Sequence, residues 1–221
     1  VILTLTLGMG AITAIFTLVN GFLLKPLPYP DADELVMIWE VDPEDGETMT
    51  VTPADFRDWA EMSNSFSLMA GFNVEASTLT GEGEEAQEVR GSIVTEEFFR
   101  TLGTSPILGP GFSPEHFVDG GPRAVILSHH LWQQRYGADP NIVGRLIRLD
   151  GEGVPVVGVL PKDYQPPDPN VEWMDAQILQ PLTFLPEEME LRRWRWMRVI
   201  ARLRPDVSVA QAQTEMDGIA G

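Results

Sequence analysis

The chain has 221 residues, which corresponds to one large domain or two small ones and is enough for a hydrophobic core. Its formal charge is −18, from 33 acidic against 15 basic residues, which argues against the basic face that nucleic acid requires, so no nucleic-acid partner is expected. The absence of cysteine excludes disulfides and thiolate metal sites and indicates no particular compartment.

The first 24 residues carry no charged side chain. As a helix they would span roughly 36 Å, against a hydrocarbon core of about 30 Å. Small and polar residues, including Gly10 and Ala14, share one face, as in helices that pack against other membrane helices. We predict a transmembrane helix over 1–24, surrounded by lipid, with further sequence upstream of Val1. A cleaved signal peptide and a buried core helix are the alternatives.

Residues 25–32 form the predicted linker out of the membrane. Lys25 is expected at the interface, the prolines that follow end the helix, and Tyr29 is predicted to anchor at headgroup level. The next basic residue is Arg57, whereas acidic residues are dense from Asp31 onward. By the positive-inside rule, this distribution predicts that residues 25–221 lie outside the cytoplasm.

The next segments predict strands and short helices. The apolar run 34–41 is typical of a buried strand, and 52–62 predicts a helix with Thr52 as its N-cap. The runs 66–80 and 87–94 predict a β-hairpin. A short helix is expected between Thr95 as N-cap and Gly103 as terminator. The acidic turn 42–47 between the first two elements lacks the spacing of a calcium loop.

Residues 122–151 contain the residue types that suggest an active site, Ser128, His129 and His130. The pattern nevertheless predicts a strand, an N-cap at Ser128, a helix over 129–136 and a hairpin that turns at Asp150-Gly151. We expect both histidines to be exposed in the first helical turn. The apolar residues of that helix, namely Leu131, Trp132 and Tyr136, are expected to fasten it to the hairpin.

The last segments predict a strand and a helix. Residues 193–205 read as a long strand in which Arg198, Arg202 and Arg204 have the same parity and face solvent. The alternative is that the arginines and tryptophans of 192–198 bind anionic headgroups or nucleic acid. Ser208 and Gln211 form a capping box before a final helix whose apolar face comprises Val209, Ala212, Met216 and Ile219. We expect that helix to return to a further strand downstream.

No catalytic, cofactor-binding or metal-ligating residue is predicted. His129 and His130 would point roughly 100° apart on a helix, which disfavours joint ligation of one ion. A serine hydrolase would need a nucleophile elbow, and no G-x-S-x-G sequence is present. Glycine-rich nucleotide-binding motifs are also absent. Strands alternate with helices around a hairpin-rich centre, and this indicates an α+β fold with two subdomains.

Several segments in order resemble one family. "LTLGMGAITAIFTLVNGFLLKPLPYPDADELVMIWE" is similar to the first membrane helix and exit of bacterial FtsX-like permeases. "DFRDWAEMSNSF", "VRGSIVTEEFFRTLGTSPILGPGF", "GGPRAVILSHHLWQQRYGADPNIVGRLIRLDG" and "VVGVLPKDY" resemble the MacB-like periplasmic core domain. "ARLRPDVSVAQAQTEM" is similar to its closing strand and helix. The similarity covers nearly the whole chain, in the manner of the duplicated permease group first noted in acidobacteria.

This resemblance implies a non-enzymatic permease subunit of an ABC transporter in the bacterial inner membrane. Its extracytoplasmic domain is expected to couple ATP hydrolysis on a partner subunit to a periplasmic conformational change, for export or signalling. The expected partners are an ABC ATPase subunit, a second permease copy in a dimer, and a periplasmic adaptor or substrate. A porter-like subdomain is expected at 33–102 and 176–221, with an inserted subdomain at 103–175. Three more membrane helices are expected downstream. The alternatives are a membrane-anchored sensor or ligand-binding domain, and an anchored hydrolase that uses Ser128, His129 and His130.

Overall fold

The computed structural model describes residues 27–42, 44–81, 85–168 and 176–220. The transmembrane helix predicted for 1–24 lies outside these ranges. Within them, no helix is both long and apolar enough to cross a membrane.

The described residues form strands and α-helices that alternate along the chain, with two short 3₁₀ helices at Ala32–Glu34 and Pro114–Phe117. The α-helices are α1 (Pro53–Met62), α2 (Phe98–Leu102), α3 (His129–Tyr136) and α4 (Val209–Ala220). The strands are β1 (Leu35–Ile38), β2 (Glu40–Val41), β3 (Thr48–Met49), β4 (Phe66–Thr80), β5 (Gln87–Val94), β6 (Val125–Leu127), β7 (Leu146–Leu149), β8 (Glu152–Val159), β9 (Ile178–Pro181) and β10 (Arg198–Leu203).

One eight-stranded sheet organises the described residues, in the order β1-β10-β4-β5-β9-β6-β8-β7, and β2 pairs only with β3. Most neighbours are antiparallel, but β5 with β9 and β6 with β8 are parallel. The long strand β4 takes part twice. Its first half pairs with β10, and its last residues, Leu79 and Thr80, pair with Leu149 and Arg148 of β7. This second pairing closes six strands, in the order β4-β5-β9-β6-β8-β7, into a ring.

Three hydrophobic clusters fill the layers around this sheet. Val199, Ala201 and Leu203 of β10 pack on one face, against α1 and α4. Ile200, with its side chain on the other face, packs in a second cluster with α2 and the buried residue Leu27. The third cluster fills the ring, with contributions from β6, β7 and β8 and from Leu131, Trp132 and Tyr136 of α3. The prediction that this helix is fastened to the β7–β8 hairpin is therefore confirmed.

Local sequence signals account for several element boundaries. The Thr52 hydroxyl accepts a hydrogen bond from the Asp55 amide at 3.0 Å, which begins α1 as predicted. The β7–β8 hairpin turns at Asp150 and Gly151, with φ values of 53° and 83°, as a type I′ turn requires. At the start of α4, the Gln211 side chain accepts a hydrogen bond from the Ser208 amide at 2.9 Å, which confirms the capping interaction.

Two predicted boundaries are wrong. Thr95 does not cap α2, because its hydroxyl accepts a hydrogen bond from the Gly71 amide of β4 at 3.0 Å and the helix begins only at Phe98. The last strand begins at Arg198 rather than at residue 193. Residues 192 and 195 are instead held by side-chain ion pairs with acidic residues of other elements.

The mixed α/β architecture confirms the predicted fold class at that level. Strands from both predicted subdomains lie in the same sheet. In particular, β9, which the prediction places in the porter-like part, lies between β5 and β6. The division into 33–102 with 176–221 and an insertion at 103–175 stays a prediction.

Candidate functional site

Ser128 and the two histidines that follow it at the start of α3 make contacts that serve the local structure. The Ser128 hydroxyl accepts a hydrogen bond from the Leu131 amide at 3.1 Å and so serves as the predicted N-cap. The His129 ring packs edge-on against Trp132, with 5.4 Å between ring centroids, and His130 is exposed. All three residues line a cavity of about 130 Å³, but its described lining contains no carboxylate that would orient an imidazole. This arrangement lacks the orienting group of a hydrolytic triad.

The remaining histidine belongs to a different element. His116 Nδ1 accepts a hydrogen bond from the Ser113 amide at 2.8 Å and so closes the start of the second 3₁₀ helix. In the described ranges, no group of three or more His, Asp or Glu side chains is placed to hold a metal ion.

The arginines of 192–198 do not form one solvent-facing row on a strand, although Arg192 and Arg193 are exposed. Arg192 lies against α1, with its guanidinium 2.5 Å from Asp55 Oδ1 and 2.6 Å from Asp58 Oδ2. The Arg195 Nε atom lies 2.5 Å from Glu40 Oε2, and burial raises the pKa of that carboxyl although Arg195 opposes the shift. These pairs attach the segment before β10 to α1 through Arg192 and to β2 through Arg195.

On β10, the arginine with the most partners is Arg202, whose side chain is only 13% exposed. Its Nη2 atom donates to the Pro30 carbonyl oxygen at 3.0 Å, and Nη1 donates to the Asp31 carbonyl oxygen at 3.1 Å. Nη1 also lies 3.2 Å from Glu34 Oε2, and Nε donates to the Thr101 carbonyl oxygen at 3.0 Å. One guanidinium thus joins β10, α2 and the segment that follows the predicted membrane helix.

Tyr29 attaches the same segment to a second part of the fold. Its hydroxyl donates a hydrogen bond to the Gln165 carbonyl oxygen, and its ring lies edge-on to Tyr164 at 6.5 Å between centroids. Tyr29 is 7% exposed, and burial raises the pKa of its phenol. The prediction that Tyr29 anchors at headgroup level is therefore wrong, because the ring is buried within the folded domain. We call residues 27–34, with Arg202 and Gln165, the linker junction.

Gly103 ends α2 beside the linker junction. Gly103 has φ +69°, a left-handed conformation that ends the helix as predicted. A Cβ atom at this position would lie 3.4 Å from Pro30 Cδ and 3.5 Å from Arg202 Nη2. Glycine is therefore favoured here by its backbone conformation, whereas a Cβ atom would make only ordinary van der Waals contacts with the linker and the guanidinium.

A second arginine on the same face of β10 reaches the loop after β8. The Arg198 Nε atom lies 3.2 Å from Asp168 Oδ2, and Nη1 donates to Asn73 Oδ1 of β4 at 2.8 Å. The Asp168 side chain is only 3% exposed. Because Arg198 and Arg202 flank the buried Ile200, this face of β10 binds the linker at one end and the loop that contains Asp168 at the other.

Sequence reasoning missed the linker junction. Arg198, Arg202 and Arg204 have the same parity, which predicts that all three face solvent, but of these three only Arg204 is exposed. Their alternation with apolar residues indicates a strand and carries no signal that Arg198 and Arg202 are covered by other segments. Three partners of Arg202 lie 168 to 172 positions earlier in the chain and Thr101 lies 101 positions earlier, where no local pattern can indicate them.

The arrangement holds segments together and offers no reactive group. The acceptors around Arg202 are three carbonyl oxygens and one carboxylate, all of them within hydrogen-bonding distance of the guanidinium. A planar guanidinium that is hydrogen-bonded to several acceptors resists displacement in more than one direction. The linker junction is thus suited to carry a displacement of the linker into the sheet.

Comparison with solved structures shows the same fold in domains of bacterial permeases and transporters. A domain of a protein assigned as a permease in Porphyromonas gingivalis is 17% identical, with a TM-score of 0.61 over 86% of this chain and 81% of that one. The periplasmic region of MacB from Actinobacillus actinomycetemcomitans is 12% identical, with a TM-score of 0.58 over 83% and 80% of the two chains. The extracellular domain of the noncanonic ABC-type transporter YknZ from Gram-positive bacteria is 14% identical, with a TM-score of 0.56 over 82% and 88%.

None of the curated proteins matches the sequence significantly. The family profile of the MacB-like periplasmic core domain matches residues 1–219, which is nearly the whole chain and includes every residue of the linker junction. The chain therefore belongs to the family of MacB-like periplasmic core domains.

Proposed function

We propose that this chain is the extracytoplasmic part of an ABC transporter permease that works mechanically. ATP hydrolysis on a partner subunit inside the cell moves the membrane helix, and the linker passes this movement to the domain outside. The protein resides in the bacterial inner membrane as a dimer, with residues 25–221 in the periplasm. Family membership and the charge distribution after residue 24 support this placement.

The observation that carries the proposal is the attachment of the linker to the sheet. A flexible tether would let the membrane helix move without the domain. Here the linker is held by Arg202 of β10 and, through Tyr29, by the loop at Gln165. Since β10 pairs with both β1 and β4, a force on the linker acts directly on the sheet.

Hydrogen-exchange mass spectrometry of the full-length protein, reconstituted with its ATPase subunit, tests this proposal. ATP should change the exchange rate of amides in β4, β5 and β10. Arg202→Ala should remove that change while leaving ATP hydrolysis by the partner intact. Arg100→Ala is the control for the loss of one positive charge, because Arg100 is exposed and pairs with Glu97, three positions away. Unchanged exchange in the wild type on ATP addition would contradict the proposal.

A further inference from the structure

An open cleft of about 830 Å³ lies between the end of β4, helix α3 and strand β7. Three guanidinium groups line it, those of Arg135, Arg145 and Arg148, together with the ring of Tyr136. We call it the arginine cleft. It has no part in the coupling described above, and none of the linker junction residues borders it.

Two of the three cleft arginines make side-chain contacts at its walls. The Arg145 guanidinium lies over the Tyr136 ring, 5.5 Å from the ring centroid, in a cation–π contact. Arg135 donates to the Gln87 side chain at 2.9 Å. Arg148 is carried by a strand that pairs with β8 and with Thr80 of β4. Side chains positioned in this way lose less freedom when they bind a ligand than mobile ones do.

The charge of the cleft is opposite to that of the chain. The protein has a net charge of −18 and only 15 basic residues, yet three of them meet in this cleft. No acidic side chain of the described part of the chain lines it. A concave surface of one charge sign concentrates ligands of the opposite sign. The described lining of the cleft is therefore basic, in contrast to the net charge of the chain.

The position of the cleft separates it from the linker. On β4, Leu68 pairs with Arg202, whereas Thr80 pairs with Arg148. Twelve residues of strand separate the two positions, which corresponds to at most roughly 40 Å. A ligand in the cleft can therefore be bound from the aqueous side without displacing the linker.

We propose that the arginine cleft is a binding site for a small, multiply charged oxyanion, a ligand with two or more phosphate or carboxylate groups. Guanidinium groups bind both kinds of group through paired N–H donors. The volume of about 830 Å³ lies within the range of small-molecule sites, roughly 300–1,000 Å³, which favours a small ligand over a protein surface. Leu146, an exposed apolar residue at the cleft, would contact the carbon skeleton of such a ligand.

Isothermal titration calorimetry of the full-length protein in neutral detergent tests this proposal, with inorganic pyrophosphate and citrate as probes at about 0.15 M salt. The two probes distinguish a phosphate ligand from a carboxylate ligand. At least one should bind at a single site, and Arg145→Ala and Arg148→Ala should each weaken it about tenfold. Arg100→Ala, with the same change in net charge but on α2, should leave the affinity unchanged.

The proposal is overturned if neither probe binds. It is also overturned if Arg100→Ala weakens binding as much as the cleft variants do, which would show an adventitious ion only. A further variant addresses acidic residues of the chain itself, since Glu82 and Glu84 follow Gly81 in sequence but lie outside the described residues. If the probes bind only after Glu82→Gln and Glu84→Gln, the cleft is occupied by the protein's own carboxylates and the proposal is wrong.

Discussion

Two groups of arginines differ in their surroundings. One group is hydrogen-bonded to distant segments of the chain, and the other is exposed at a cleft. Arg202 of β10 is 13% exposed and donates to carbonyl oxygens of the linker and of α2. Arg145 and Arg148, at the other end of β4, are exposed at the wall of a cleft. The residue type is the same, so its role depends on whether distant segments supply acceptors for the guanidinium. This comparison predicts that substitutions in the two groups will affect different properties.

The largest effect on stability is expected from Arg202→Ala. This change leaves the Pro30, Asp31 and Thr101 carbonyl oxygens and the Glu34 carboxylate without the guanidinium, and should lower the free energy of unfolding by about 3 kcal/mol. Urea denaturation of residues 27–221 measures it. Arg202→Lys should recover only part of the loss, because one ammonium cannot reach all of these acceptors. Full recovery by lysine would contradict the geometry described for the linker junction.

Arg198→Ala should have the second-largest effect. It removes the guanidinium beside Asp168, a carboxylate that is 3% exposed, and should lower the free energy of unfolding by about 2 kcal/mol. Asp168→Asn in the Arg198→Ala background should then cost little further, since the charge that needed the guanidinium is gone. A double-mutant cycle by urea denaturation tests this, and strictly additive losses would show that the two residues do not interact.

Tyr29→Phe should have a smaller effect, about 1 kcal/mol, because it removes one hydrogen bond to the Gln165 carbonyl oxygen and keeps the ring packed against Tyr164. Thermal unfolding should show a decrease in Tm of about 2–4 °C. Tyr29→Ala removes the ring as well and should cost clearly more. Similar Tm values for the two variants would mean that the ring is not packed as described.

The smallest effect on stability is expected in the arginine cleft. Arg145→Ala and Arg148→Ala remove exposed side chains, and each should change the free energy of unfolding by no more than about 0.5 kcal/mol. The same urea denaturation measures these variants beside Arg202→Ala. A loss comparable to that of Arg202→Ala would remove the distinction between the two groups.

The sequence was informative where the partners of a residue lie a few positions away. Thr52 and Ser128 cap their helices by contacts three residues downstream, and Asp150-Gly151 forms its turn locally. Such signals gave the bounds of α1, α3 and the β7–β8 hairpin. They failed at Thr95, whose hydroxyl binds the Gly71 amide of another strand rather than the next helix.

The linker junction could not be predicted because every contact in it joins distant parts of the chain. The pattern of Arg202 between Ala201 and Leu203 is the same as that of a solvent-facing position on an edge strand. Only the packing of α2 and residues 27–34 on that face of the sheet makes it a buried position. The arginine cleft was missed for the same reason, since β4, α3 and β7 meet there only after the ring of strands closes.

The central claim, that the linker carries movement of the predicted membrane helix into the domain, is tested most directly by a distance between the two copies of the proposed dimer. The 221 residues contain no cysteine, so once any cysteine elsewhere in the full-length complex is replaced, Ile107→Cys at an exposed position gives one spin label per copy. Double electron–electron resonance spectroscopy of the full-length complex then measures the distance between the two labels in the nucleotide-free and ATP-trapped states. A flexible Gly-Ser insertion before Leu27 leaves the contacts of Arg202 and Tyr29 intact but loosens the connection to the helix. We predict an ATP-dependent change in the distance that this insertion abolishes. An equal change with and without the insertion would contradict the account.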